Sequence, residues 1–354
     1  MGFGSGLKAI MVNQPAKIRR PKPVDLVLSG GGVKGVGLVG AVVAVMDAGY
    51  TVKRVSGVSA GSLVGSILAA ASNGNRLTSH EIKELALSLP YQKFRDAGPI
   101  GHLPVLGQAW GLLRDTGLYR GDFAHDWIRG ELKNLGVTTF GDLALADKQL
   151  PEERRYRLAV TVTDVTTGQL VRLPWDYRRV YGLDPDEQPV ADAVRASMAI
   201  PFFFRPVSLT SADGLTSTLV DGGVLSNFPI DSFDRLDGKP PRWPTFGITV
   251  VPNLPEGNDQ VIPGVGALRL LGPPSVLLEQ LITTMFVGRD QTYLNQPWVS
   301  ARAIRVDSTA VNFLDFGLSR KDAEALYDKG CEAAQAFLST WNWVKYLERF
   351  REFQ

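Results

Sequence analysis

Residues 25–62 read DLVLSGGGVKGVGLVGAVVAVMDAGYTVKRVSGVSAGS. The apolar run from Leu26 to Leu28 predicts a strand, which the triple glycine Gly30-Gly31-Gly32 ends. Small residues from about Gly35 to Ala48 suit a closely packed helix, and a second strand is expected from Val52 to Val55. The turn Gly57-Val58-Ser59-Ala60-Gly61 then opens another helix. Strand, helix and strand within roughly 30 residues make a βαβ unit, whose two loops emerge at one edge of a parallel sheet, where such sheets hold ligands. One loop offers free backbone N–H groups. The other presents a serine on a strand-to-helix elbow. An anion cradle facing a nucleophile is the chemistry of acyl transfer.

The rest of the composition narrows the class. The chain has 354 residues, 44% hydrophobic and 21% charged, with a net charge of +2. That is enough to bury a large core, and no excess of positive charge points to a nucleic-acid partner. The single cysteine, Cys331, cannot form an internal disulfide and reads as a helix-packing thiol. No metal motif is expected. The first 23 residues read as a basic arm carrying Lys8, Lys17, Arg19, Arg20 and Lys22, without an export signal. Gly2 with Ser5 misses an acylation signal because Gly6 holds the required position. Residues 55–75 carry no charge, but their Ser, Gly and Asn content favours a buried central helix over a membrane span. The expectation is a cytoplasmic protein; attraction of the arm to an anionic bilayer is the alternative.

Further along, Ser79 is expected to cap a helix from Glu81 to Leu89, and residues 97–113 form an uncharged Pro/Gly-rich loop. A helix from Gly121 to Asn134 should follow. Residues 156–173 alternate as two strands joined at Thr167-Gly168, with Asp164 bonding the turn amides. Val190 to Met198 reads as a helix stopped by Pro201, after which three phenylalanines pack in the core or line an acyl pocket. Strands are expected at Leu219-Val220, Thr245 to Val251 and Ala303 to Val306, and helices at Ser275 to Val287 and Ser319 to Leu338. In the tail, Trp343, Leu347 and Phe350 share a helical face expected to dock on the chain's own body. The division is an arm at 1–23, a catalytic domain at 24–255 and a mainly helical extension at 256–354.

Ser59 is the candidate nucleophile, with Gly57 and Gly61 letting the backbone turn and the helix approach. Gly30, Gly32 and Gly35 match a dinucleotide fingerprint in spacing, yet the second strand lacks the terminal acid that would hold a ribose. A phosphate-binding Walker loop fails because Gly35, not Ser or Thr, follows Lys34. What survives is an anion hole expected at Gly30, Gly31, Gly32 and Val33, the last three aiming N–H groups at a carbonyl oxygen, with Lys34 attracting an anionic head group or capping the loop. The base is harder to name. His80, His102 and His125 all precede the region where a hydrolase histidine usually falls. Asp221, which follows a strand and precedes Gly222 and Gly223, is the better candidate, since a dry pocket can raise a carboxyl into the range of a base.

Taken together, these elements resemble those of the patatin-like phospholipases. The glycine-rich oxyanion loop of that family is similar to Gly30 through Gly35, its nucleophile elbow to Gly57 through Gly61, its Asp-Gly-Gly element to Asp221 through Gly223, and its proline-bearing segment to RASMAIPFFF. The resemblance implies a three-layer αβα sandwich with a mostly parallel sheet, a Ser59–Asp221 dyad without histidine, and no cofactor. It also implies release of fatty acid from phospholipid or lysophospholipid during transient contact with a membrane surface. Homo-oligomers are compatible with it. The readings set against it are a non-hydrolytic nucleotide- or acyl-carrier-binding module and a membrane-recruitment protein that uses the basic arm and aromatic tail.

Overall fold

A computed structural model describes residues 22–73, 77–96, 117–235, 237–250, 284–285, 291–311 and 315–350. The chain folds into a three-layer αβα sandwich. Its sheet runs β10 (Ala303–Arg305), β9 (Thr245–Thr249), β1 (Lys22–Leu28), β2 (Tyr50–Val58), β4 (Leu158–Asp164), β8 (Thr216–Asp221), β7 (Val207–Thr210). The first five of these are mutually parallel, whereas β8 and β5 (Gln169–Leu173) run antiparallel to β4. A separate pair joins β3 (Gly117–Tyr119) to β6 (Phe202–Phe204), in parallel.

Strand β1 shows how one apolar run serves both faces. Alternate side chains of a strand point to opposite sides. Val24, Leu26 and Leu28 join the core under α1 (Gly35–Asp47), while Val27 joins the other core with Ile67, Val160 and Val194. The second helix, α2 (Ala60–Ala71), is buried along its whole length, as its lack of charge implied. The first side is closed by α3 (Ser79–Leu87) and α6 (Arg320–Thr340), the second by α4 (Asp122–Asn134) and α5 (Val190–Ser197). The cap of α3 is Thr78 and not Ser79. Its hydroxyl accepts the Glu81 N–H at 3.2 Å, and the Glu81 carboxylate accepts the Thr78 N–H at 2.7 Å.

Helices α1 and α6 touch backbone to backbone. A Cβ on Gly40 would lie 2.0 Å from the Tyr327 carbonyl oxygen, and one on Gly330 would lie 2.1 Å from that of Gly37. The Cys331 thiol donates to the Gly40 carbonyl at 3.2 Å, in keeping with a packing role. Past α6, α7 (Trp343–Phe350) docks on the body through buried Tyr346 and Phe350, with Trp343 and Leu347 half-buried, and the Tyr346 hydroxyl donates to the Trp298 carbonyl at 3.1 Å. Arg302 grips Asp234 with two bonds of 2.6 Å each, tying the chain before β10 to the loop before β9. The Asp164 carboxylate accepts the turn amides of Thr166 and Thr167 at 2.9 and 3.2 Å, as expected of a turn-former. Of the arm expected at 1–23, residues 1–21 lie outside the described residues, and Lys22 and Pro23 belong to β1. The loop expected at 97–113 and most of the helix expected at 275–287 lie outside the described residues.

Candidate active site

Strand β4 brings the two candidate side chains together. Along one edge it pairs with β5 over Val160–Asp164. The opposite edge is shared end to end: β2 covers Leu158–Thr161, with Val58 opposite Thr161, and β8 covers Val162–Asp164, with Asp221 opposite Val162. Adjacent residues of β4 therefore hold the C-terminal ends of β2 and β8 against each other. Ser59 follows the first end directly, and Asp221 is the second.

The elbow is tightly constrained. Ser59 sits at φ 50° and ψ −122°, a conformation that costs a residue with a Cβ on the order of 1–3 kcal/mol. Neighbouring glycines make the turn sterically accessible: a Cβ on Gly57 would lie 2.3 Å from the Gly61 carbonyl oxygen, and one on Gly61 would lie 2.4 Å from that of Leu28. The Ser59 N–H donates to the Ser197 hydroxyl at 2.8 Å, and that hydroxyl donates onward to the Thr161 carbonyl at 2.7 Å.

Asp221 is fully buried, and burial pushes its carboxyl up to about 7. A hydrogen-bond interaction with the Ser59 side chain and one from the Gly223 N–H, at 2.8 Å to Oδ1, oppose that shift only in part. Its other oxygen, Oδ2, has no hydrogen bond of regular geometry within the described residues. A carboxyl in this state can hold or release a proton near neutral pH, which is what a general base requires.

The glycine loop lies alongside. A Cβ on Gly30 would fall 3.2 Å from that of Ser59. Its amide, however, is already taken, donating to the Asn227 carbonyl at 3.1 Å. Gly30 is thus removed from the expected oxyanion donors, because its partner comes from a loop far along the chain. The Lys34 N–H is likewise tied to the Gly31 carbonyl at 3.1 Å. Between those two tied amides stand Gly31, Gly32 and Val33, in the turn that starts α1. Burial lowers Lys34 to about 8, with Asp307 partly offsetting it. Gly222, like Gly57, sits where a side chain cannot: its Cβ would meet the Thr161 carbonyl oxygen at 2.3 Å. Gly35 starts α1 facing Ala60, and Gly223 supplies the amide bonded to Asp221.

Beside Ser59 runs an apolar cleft of about 30 Å³, lined among others by Val39, Leu63, Ala86, Tyr91, Met198 and Phe316. Of the three phenylalanines after Pro201, Phe204 reaches this cleft, whereas Phe203 packs on Phe316 at 5.2 Å between ring centroids. His125 lies at the surface, 2.7 Å from Asp192, and His80 is exposed on α3. His102 lies outside the described residues. Sequence reasoning missed Ser197 and Asn227. The signal for Ser197 was its place in the proline-bearing segment; for Asn227, its position just after the Asp-Gly-Gly turn.

Among the described residues no helix is long and apolar enough to cross a membrane, and no group of His, Cys, Asp and Glu could hold a metal ion. A family model described as Patatin-like phospholipase matches residues 26–234. The chain is 34% identical over 321 residues to the uncharacterized protein YqhO of Bacillus subtilis, a match covering 90% of this chain and 99% of YqhO. Among solved structures, VipD from Legionella pneumophila aligns over 90% of this chain and 67% of its own, at 19% identity and a TM-score of 0.49. ExoU from Pseudomonas aeruginosa, in complex with SpcU, aligns over 91% of this chain and 54% of its own, at 18% identity and a TM-score of 0.42.

Proposed function

This chain belongs to the patatin-like phospholipase family, and from that premise we propose that it is a serine lipid acyl hydrolase, releasing fatty acid from phospholipids or lysophospholipids through Ser59 and Asp221. Support for the reading comes from the strand registers, which set Ser59 and Asp221 beside each other at adjacent residues of β4, and from the complete burial of the Asp221 carboxyl. Asp221 takes the hydroxyl proton as the Ser59 oxygen attacks the ester carbonyl carbon. The amides of Gly31, Gly32 and Val33 hold the resulting oxyanion; loss of one such donor costs roughly 3–4 kcal/mol of barrier. Collapse breaks the carbon–oxygen bond to the alcohol, which leaves with the proton held by Asp221. Water then gives a proton to Asp221 and attacks the acyl-enzyme, freeing the fatty acid and restoring Ser59.

The cleft beside Ser59 supports an acyl substrate because carbon lines nearly all of it. Lys34, at the foot of the glycine loop, favours substrates that carry a phosphate near the ester. Access to such lipids implies transient contact with a membrane surface.

The decisive experiment compares the parent with Ser59→Ala, using mass spectrometry of products from a mixed lipid extract together with labelling by a fluorophosphonate. Fatty acid release and labelling should both vanish in the variant while its circular dichroism stays parental. Undiminished hydrolysis by the pure variant removes Ser59 from the mechanism. Tight binding of NAD or ATP by a parent that neither hydrolyses lipid nor labels would favour a nucleotide-binding module instead.

A further inference from the structure

Three consecutive residues at the end of α5 touch both halves of the candidate dyad. The Ser197 hydroxyl accepts the Ser59 N–H, and the Ala199 carbonyl accepts the Asp221 N–H at 2.9 Å. Between them Met198 lines the acyl cleft. The polarity of the Ser197 hydroxyl is fixed by its surroundings. Its one proton goes to the Thr161 carbonyl, so only a lone pair remains to face Ser59. Thr161 is the residue of β4 that pairs with Val58, directly before the nucleophile. Ser197 is completely buried. A strained elbow persists only where its surroundings over-determine it, and a fully buried hydroxyl with both partners satisfied is such a constraint.

The geometry points to Ser197 as a positioning residue for the hydrolysis proposed above: its hydroxyl fixes the main-chain torsions of Ser59, so that the nucleophile faces Asp221. This inference rests on that reading of the site. Without the hydroxyl, the Ser59 amide loses its acceptor and the elbow relaxes away from its costly φ. A misplacement of about 1 Å at reacting atoms costs on the order of 100-fold in rate. Substrate contacts are untouched, because the cleft is lined by other side chains.

The test uses the full chain with Ser197→Ala and Ser197→Thr, the second retaining the hydroxyl. Steady-state hydrolysis is measured on a phospholipid in mixed micelles, and hydrogen exchange is followed at the Ser59 and Asp221 amides. For Ser197→Ala the expected result is a fall in kcat on the order of 100-fold with KM nearly unchanged, and exchange at Ser59 faster by about tenfold, the worth of one hydrogen bond. Ser197→Thr should recover most of kcat. Parental kcat in a folded Ser197→Ala, or a loss confined to thermal stability, overturns the inference. If Ser197→Ala does not fold, the Thr variant decides, and a folded Thr variant as slow as a Ser59 knockout overturns it. If the parent hydrolyses no ester at all, the proposed function falls. The exchange measurement then still reads the tether, and unchanged protection of Ser59 in Ser197→Ala refutes it.

Discussion

In the proposed mechanism Asp221 serves chemistry at the expense of the fold. A carboxyl raised to about 7 by burial is half-ionised at neutral pH, so kcat/KM should rise with pH along an acidic limb centred near 7. A limb centred near 4, measured on a soluble ester, would mean that Asp221 is not the base. The same shift has a stability sign. The folded state binds this proton more tightly than the unfolded chain does, so the contribution of Asp221 is fully present below about 4 and is lost as pH rises through 7. Asp221→Asn abolishes that loss along with turnover. Its melting temperature should exceed the parent's by more at pH 8 than at pH 4, in scans at both values, with a difference on the order of a few kcal/mol. Ser59 and Asp221 stood out as candidates in the sequence because glycines frame each of them. The loss of Gly30 as a donor was not, since Asn227 lies far away in the chain, and no local pattern shows that an amide is spoken for. Ser197 was hidden for a similar reason: a serine at a helix end reads as a cap until its distant partners are known.

Among the elements, the seam between α1 and α6 sets the tolerance of the fold. Glycine inside a helix ordinarily gains about 1 kcal/mol on replacement by alanine. At Gly40 the sign should reverse. The added Cβ lands on the backbone of α6, so Gly40→Ala should cost about 1–3 kcal/mol in chemical denaturation. A stabilised variant would show that the helices separate freely. The βαβ core was readable because its strands are long apolar runs and its helix is built of small residues. Strands β3, β6 and β7 were not, being three or four residues long, with pairings to distant or solvent-facing partners that leave little periodicity. The α3 cap moved by one residue to Thr78 because Ser and Thr stand side by side there, and only the reciprocal bond with Glu81 distinguishes them.

Over the whole molecule, the extension expected after residue 255 is woven into the sandwich. Strand β10 covers the edge of β9, α6 covers α1, and Arg302 clasps Asp234. A chain ending at residue 255 would bare a sheet edge and a core face together. It should aggregate on size-exclusion chromatography and melt without a cooperative transition. A monomeric, cooperatively melting fragment would instead make residues 24–255 a self-standing unit. The end-to-end meeting of β2 and β8 on β4 has a further consequence for the living cell. The serine leaves the ribosome long before the aspartate does, and neither can act until β4 has seated both strands. On the proposed function, a growing chain near a bilayer is therefore harmless to it, and the capacity to damage lipid arrives only with completed tertiary structure.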